Sequence, residues 1–306
     1  MRLKFYFLAF FLVTAIISKA QVQFILSKGD SLREQGDLRG AIEAFKKEYQ
    51  INPSNKTNLY NYACALALTG QNDSCFKYLN LSIRQKISVD PLVDRDFVPL
   101  KSDLRWKAFQ DTLALLVQKK SPIPIKDLEY AKKLWEMRAS DQAYYKEIDL
   151  AEKKTGRNST VVQALWFLKR KLNEENQEEF ELLVINKGWP KISDVGNIAA
   201  SSAFLIIQHS NAEKQKKYLP IIKKLCEENE ASWEEYALMY DRVQVGDGKK
   251  QKYGSQVRFN DQTQKFELFP LEDEIMVDEW RKEVGLPPLA EYVANWEIKF
   301  EPRKKK

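Results

Sequence analysis

The chain of 306 residues has a single histidine, His209, and only three cysteines, Cys64, Cys75 and Cys226. A tetrahedral transition-metal site draws on about four nitrogen, sulfur or carboxylate ligands, typically His and Cys, so the sequence is read as holding no metal and no other cofactor. GxSxG, HExxH, Walker and dinucleotide-binding signatures are missing as well, which removes the commonest recognisable routes to acyl, metal, phosphoryl and hydride chemistry. The clearest apolar run, Phe5 to Ile17, falls short of the ~20 residues that span a bilayer. No long basic stripe with interleaved aromatics is available to track nucleic acid.

What remains is a chain built to fold. Apolar residues make up 44% and include sixteen Phe, thirteen Tyr and seven Trp, while charged residues at 30% and a mean hydropathy of −0.50 demand a well-solvated surface. The length favours two domains over one.

The opening MRLKFYFLAFFLVTAIISKA joins basic Arg2 and Lys4 to an apolar stretch and a Ser18-Lys19-Ala20 junction with small residues at 18 and 20. This is the pattern of a secretory signal peptide over residues 1–20. The mature chain is expected to begin at Gln21, to be exported to the periplasm or beyond, and to keep no stable membrane insertion. Loss of Arg2, Lys4 and Lys19 lowers the formal charge from +6 to +3. Residues 297–306 form a tail whose basic run, Arg303 to Lys306, reads as a solvated end. In an exported chain Cys64 and Cys75 are the nearest candidates for a bridge, and the alternative is that each is a small buried thiol.

Laid against itself, the chain aligns LREQGDLRGAIEAF with LALTGQNDSCFKYL, so that Leu32 meets Leu66, Gly36 meets Gly70, Ala41 meets Cys75 and Phe45 meets Leu79. That offset, about 34 residues, resembles the period of the tetratricopeptide repeat, a helix pair per unit. Gly29 and Ala63 fall where the first helix needs a small residue, and Pro53 closes the first unit. Two units leave an apolar face open, and Pro91 to Gln118, with Leu104, Phe109 and Leu113 spaced around Trp106, reads as the capping helix. Residues 21–118 are therefore expected to form one domain, 119–127 a proline-containing linker, and 128–296 a second domain.

In the second domain the spacing predicts helices from Leu128, over Val161–Leu172, Ser193–Ile207, Leu219–Glu228 with Pro220 in its first turn, Trp233–Tyr240, and Asp278–Val284. From Asp241 the period turns to alternation, with Val245 to Gly248 as a turn and VRF and KFELF as hairpin arms about residues 260–263. The fold class is mainly α: tetratricopeptide-like helix pairs followed by a helical domain with a small β-hairpin.

GWPKISDVG at 188, QHS at 208, DRVQV at 241, GKKQKYGSQ at 248 and WRKEVGLPPLAEY at 280 together resemble an uncharacterised bacterial family, a domain of unknown function with GWP, QH, DRV, YGTQ and GLPPL signatures. Asp141-Gln142 resembles its DQ motif, and Ser255 stands where the family usually has Thr. The resemblance implies a domain and no activity.

His209 is the residue to weigh. Ala200, Ala203, Phe204 and Ile207 share one helix face, with His209 nearly opposite. The plainer reading is a hydrogen-bonded structural ring at a helix end. The sharper one gathers His209, Asp141, Asp241, Arg242 and Tyr253 as an acid–base site, with Gln142, Gln208, Gln251 and Gln256 as ligand-binding donors and acceptors. Asp241-Arg242 can equally be a local salt bridge, and Gly254 a backbone bend. The reading taken is an exported interaction or scaffold protein with a protein or peptide partner and a domain suited to a small polar ligand, nucleic acid being excluded. The alternative is an exported enzyme, of hydrolase type, using the His/Asp/Arg/Tyr set.

Overall fold

The structure is a computed structural model that describes residues 26–260 and 262–301. The leader and the Arg303–Lys306 run lie outside the described residues. The described chain is helical apart from one hairpin, and its packing divides into two compact units that meet in sequence between Ser210 and Asn211.

The first unit contains α1 (Lys28–Glu34), α2 (Leu38–Ile51), α3 (Lys56–Leu68), α4 (Asn72–Gln85), the short α5 (Asp90–Val93), a 3₁₀ stretch (Arg95–Ser102), α6 (Leu104–Lys120), α7 (Leu128–Gln142), α8 (Tyr145–Thr155), α9 (Thr160–Lys187), α10 (Ile192–Val195) and α11 (Asn197–Gln208). Short polar residues start several of these helices by accepting orphan backbone N–H groups. Ser27 accepts from Asp30 N, Asp37 from Gly40 N, Asn55 from Thr57 N and Asn58 N, Asp127 from Tyr130 N, and Ser159 from Val162 N.

α1 packs on α2, α2 on α3 and α3 on α4. The sequence repeat is visible in their joints: Gly36 and Gly70 both turn the chain with positive φ, 81° and 72°, a conformation that glycine adopts without strain. Gly29 lies against the Phe45 ring so closely that a Cβ would stand 2.3 Å from Cε1, and Ala41, Ala63 and Cys75 are fully buried. Both Cys64 and Cys75 are free, buried thiols. Aromatic rings close the end of this array, with Trp106 stacked on Phe97 at 6.0 Å and on Phe109 at 5.4 Å. Leu104 does not join them. It opens α6 at its first turn and is 97% exposed, while Trp106, Phe109, Leu113 and Ala114 form the inner face.

The proline-containing stretch 119–127 lies within this compact unit. Gln118 Nε2 donates to the Ile125 carbonyl at 2.9 Å, Ile125 is buried, and Asp127 N donates to the Asp194 carbonyl at 3.0 Å. α7 packs against α5, the 3₁₀ stretch and α6 on one side and α9 and α11 on another. The two prolines shape a connection, and packing continues across it.

The second unit contains α12 (Ala212–Glu227), α13 (Trp233–Gly246), the antiparallel strands β1 (Val257–Asn260) and β2 (Lys265–Leu268), α14 (Val277–Glu283), α15 (Leu289–Val293) and a 3₁₀ turn (Ala294–Trp296). Val257 pairs with Leu268 and Asn260 with Lys265, as the hairpin arms predict. Val257, Val277, Leu289, Tyr292, Val293 and Trp296 form its core.

Several boundaries differ from the periodicity. α9 runs 28 residues, because a stripe of Val162, Lys169, Asn176 and Phe180 is buried along its length. Gly196 (φ 81°) divides the expected Ser193–Ile207 helix into α10 and α11. Asn211 caps Lys214 N and starts α12 early, which leaves Pro220 inside the helix instead of in its first turn. DRVQVG continues α13 to Gly246 as helix, although Met239, Asp241 and Val243 are buried at every second position along it. α11 has no polar face: from Ala199 to Gln208 all but Ser201 are buried.

The contact at Gly29 gives a direct check. Gly29→Ala should lower the free energy of unfolding by about 1–3 kcal/mol, the usual range for overpacking, read from the shift of the urea midpoint. An unchanged midpoint would show that the Phe45 ring can withdraw.

Candidate buried polar site

α7 ends in Ser140-Asp141-Gln142, and the chain then turns through Tyr144, whose φ of 70° is uncommon for a residue with a side chain. This turn aims α8 away and leaves the Asp141 carboxylate inside the bundle. His209 arrives from the C-terminus of α11, its Nδ1 2.7 Å from Oδ1 and 2.8 Å from Oδ2 of Asp141. Only 7% of the His209 side chain and 2% of Asp141's are exposed. Gln142 Nε2 donates a further bond to Oδ2 at 2.7 Å.

Burial by itself would raise the Asp141 carboxyl, but the charge and hydrogen bond of His209, with the charge of Lys169, outweigh it and hold Asp141 below the ordinary carboxylate value. An ionised carboxylate only accepts, so His209 Nδ1 carries the proton that it donates.

Lys169, from α9, is the residue that periodicity did not single out. Its ammonium donates to the Asp141 backbone carbonyl and to Asn173 Oδ1, the latter at 2.7 Å, and lies 4.5 Å from the centre of the Tyr145 ring. Burial pushes its pKa down to about 8, against the opposing charge of Asp141. The Tyr145 ring also meets the His209 ring edge-on at 6.1 Å. Two more amides on α9 fasten the neighbours: Asn176 Nδ2 donates to the Met137 carbonyl at 3.0 Å and Gln177 Nε2 to the His209 carbonyl at 3.3 Å. Lys169, Asn173, Asn176 and Gln177 thus make a polar face at helical spacing. That face was the available signal, legible once Val162 and Phe180 are placed on the same side.

The structure brings together Asp141, Gln142 and His209, with Gln208 buried beside them in α11. Asp241, Arg242, Gln251, Tyr253 and Gln256 belong to the other compact unit. There Asp241, fully buried on α13, accepts from the backbone N–H groups of Lys252 (2.8 Å), Tyr253 (3.0 Å) and Ser255 (2.9 Å). Burial raises its carboxyl even against these bonds. Arg242 follows it, half-buried. Gln251 Nε2 donates to the carbonyls of Gln256 and Phe269, and its Oε1 accepts from Gln256 N at 2.8 Å. Gln256 Nε2 donates to Ser255 Oγ at 2.9 Å. Burial raises the Tyr253 phenol.

Arg281, which sequence reasoning also passed over, ties this loop to the GLPPL segment. Fully buried, it donates from Nη1 to the Tyr253 carbonyl and from Nε to the Pro287 carbonyl, each at 2.5 Å. At Gly254 (φ 68°) an added Cβ would lie 2.7 Å from Leu289 Cδ1, so the expected bend is also a close approach. Asp241, Gln251 and Arg281 therefore direct their bonds to the backbone of this tightly folded segment, while Gln256 also bonds the Ser255 hydroxyl.

A third polar cluster lies among the N-terminal helices. Cys64 Sγ and carboxylate oxygens of Asp94 and Asp96 gather within 4.8 Å of one another. Tyr60 donates its hydroxyl to Asp94 at 2.7 Å, and Arg33 pairs with Asp96 at 3.1 Å. A guanidinium inside the group makes it an ion-pair network, since a bound cation would be repelled by Arg33.

The buried lysine carries a signed pH prediction. The unfolded chain keeps the lysine proton up to the ordinary 10.5, whereas the folded one releases it near 8. Between these values the unfolded state binds more protons, so the Lys169 contribution to stability rises with pH across that window. Wild type should gain on Lys169→Met there by up to roughly 3 kcal/mol, measured by urea unfolding from below pH 8 to about pH 10. A constant difference between the two would overturn the assignment.

No curated protein and no solved structure matches the chain. The model of a family of unknown function, DUF6624, matches residues 128–303, which takes in the DQ, GWP, QH, DRV, YGSQ and GLPPL segments. With more than half of its length matched, the chain belongs to this family.

Proposed function

We propose that the protein is an exported binding protein whose first compact unit takes up a peptide segment of a partner. The observation that carries this reading is a groove of about 520 Å³ bordered by α6 and α7 and lined by Lys101, Trp106, Asp111, Lys132, Lys133 and Glu136, among others. Its walls alternate in sign: Lys101 pairs with Glu136 at 3.2 Å and Lys132 with Asp111 at 2.5 Å. Trp106 gives it an apolar floor, and exposed Leu104 a rim. Such a lining suits a segment that offers both charges and one apolar anchor, because a single-sign ligand would leave half the wall charges facing their like.

Two features support the binding habit. The helix pairs, with turn glycines Gly36 and Gly70 at matching places, resemble tetratricopeptide repeats, whose surfaces commonly hold peptides. Lys101 also donates to Ser140 Oγ at 2.6 Å, so the groove wall is fastened to the residue preceding Asp141. Export rests on the leader of residues 1–20.

A second reading keeps acid–base chemistry, and the observation favouring it is Lys169 at about 8 beside the Asp141–His209 pair. In that reading Asp141 orients the imidazole, His209 moves the proton, and a small polar substrate is hydrolysed. Asp241 fits it less well, its carboxylate already accepting three backbone N–H groups.

Two measurements test the proposal. Intact mass of the protein from its native host should correspond to a chain starting at Gln21, and recovery of the full-length chain from the cytoplasm would refute export. Selection from a random peptide library should enrich mixed-charge peptides with one apolar anchor. Leu104→Asp and Lys133→Glu should abolish their binding, while Lys169→Met and His209→Gln leave it unchanged. Enrichment that depends on His209 and Lys169 alone would transfer the function to the second reading.

A further inference from the structure

α9 has two faces. The inner one carries Val162, Lys169, Asn176 and Phe180, all buried. Nearly opposite runs a second series, Val161, Ala164, Leu168, Lys171, Glu175, Glu178, Leu182 and Ile185, and every member is exposed. Leu182 is 61% and Ile185 78% exposed, and Phe167, also 61% exposed, borders the series. Large aliphatic side chains are not usually set out in a row on a solvated helix face.

The spacing of this series is three and four residues in strict alternation over the whole helix. A straight helix drifts out of such a repeat, whereas two helices wound around each other keep it facing the partner. The series is apolar at both ends and charged in the middle, and the middle holds one cation and two carboxylates.

We propose that α9 is a self-association helix that pairs antiparallel with α9 of a second copy, about a two-fold axis at Asn173. In that register Val161 faces Ile185 of the other copy, Ala164 faces Leu182, Leu168 faces Glu178, and Lys171 faces Glu175. Each layer occurs twice by symmetry. The apolar ends cover one another, and the central charges meet their opposites. Lys171 and Glu175 already lie within 3.9 Å along the same helix, both well exposed, so pairing exchanges a solvated contact for two across the axis. Glu178 can lay its stem on Leu168 and keep its carboxylate in water.

Charge excludes the other arrangements. A parallel pair would set Lys171 on Lys171, Glu175 on Glu175 and Glu178 on Glu178. Sliding the antiparallel pair by one heptad in one direction sets Glu175 on Glu178. Sliding it the other way sets Ala164 on Glu175 and Val161 on Glu178. Of these registers only the one about Asn173 joins Lys171 to an acid, and that self-complementarity identifies the occupant as another copy of this chain.

Sedimentation velocity on the purified chain tests this. The wild type should form a dimer at micromolar concentration. Lys171→Glu, which places four carboxylates around the axis, should weaken it about tenfold or more. The double variant Lys171→Glu with Glu175→Lys should restore it, and Leu182→Asp should dissociate it. All these positions are exposed, so far-UV circular dichroism should be unchanged in each. As a positional check, Ala164→Cys combined with Leu182→Cys should give an intermolecular disulfide under mild oxidation. A wild-type monomer throughout the micromolar range would overturn the proposal. So would a dimer indifferent to Lys171→Glu and Leu182→Asp, since association would then use another face.

Discussion

A carboxylate buried as deeply as Asp141 must be answered by donors from its surroundings, because leaving such a charge without partners costs several kcal/mol. This requirement organises the middle of the first unit. α11 must bring His209 to the carboxylate, α9 must bring Lys169 to the same residue's carbonyl, and the turn after Gln142 must divert the chain before it covers the site. Four helices are thereby located by one residue. Apolar packing would tolerate rotation or sliding of α11, which is buried on nearly all sides, whereas the direct hydrogen bond from His209 to Asp141 would not. The polar pair supplies uniqueness where the apolar surface is undiscriminating.

The second unit solves a comparable problem with different chemistry. Asp241 and Arg281 are both fully buried, and both bond to backbone groups: the acid accepts from three N–H donors, and the base donates from Nη1 and Nε to two carbonyls. Peptide dipoles carry no net charge, so burial still governs the titration of both. It raises the Asp241 carboxyl and pushes Arg281 down to about 10. In the first unit, with His209 and Lys169 close by, the balance for Asp141 runs the other way. The two buried aspartates thus differ in character. Asp141 faces ionisable side chains, and Asp241 holds a loop in shape.

Much of this was legible in residue order, and the failures are instructive. The self-alignment of the N-terminal third located the glycines that turn the chain, and the DQ and QH motifs named a pair that meets from distant parts of the sequence. Lys169 was not legible, because a lysine in a helix is ordinarily solvated and only the placement of α7 and α8 buries this one. Arg281 escaped for the same reason. The alternation was read from Asp241 onward, but the chain continues α13 to Gly246, and Met239, Asp241 and Val243, two positions apart, are buried on a helix covered from more than one side. Short apolar runs do not distinguish strand from helix.

The family match begins at Leu128, where α7 begins, yet α7 cannot be completed from that point onward. Its buried residues include Tyr130, Leu134, Trp135 and Met137, and they are covered from two directions. α9 and α11 supply one side, while α5, the 3₁₀ stretch and α6 supply the other. Cut at residue 127, the helix would expose one side of its apolar surface and lose the bond between Lys101 and Ser140. The family segment therefore begins inside the compact unit that holds its DQ, GWP and QH motifs. The N-terminal helices cover α7, and with α7 they border the groove. Were a partner to bind in that groove, as proposed, it would press on the same helices that hold α7 and, through Lys101 and Ser140, adjoin the residue before Asp141.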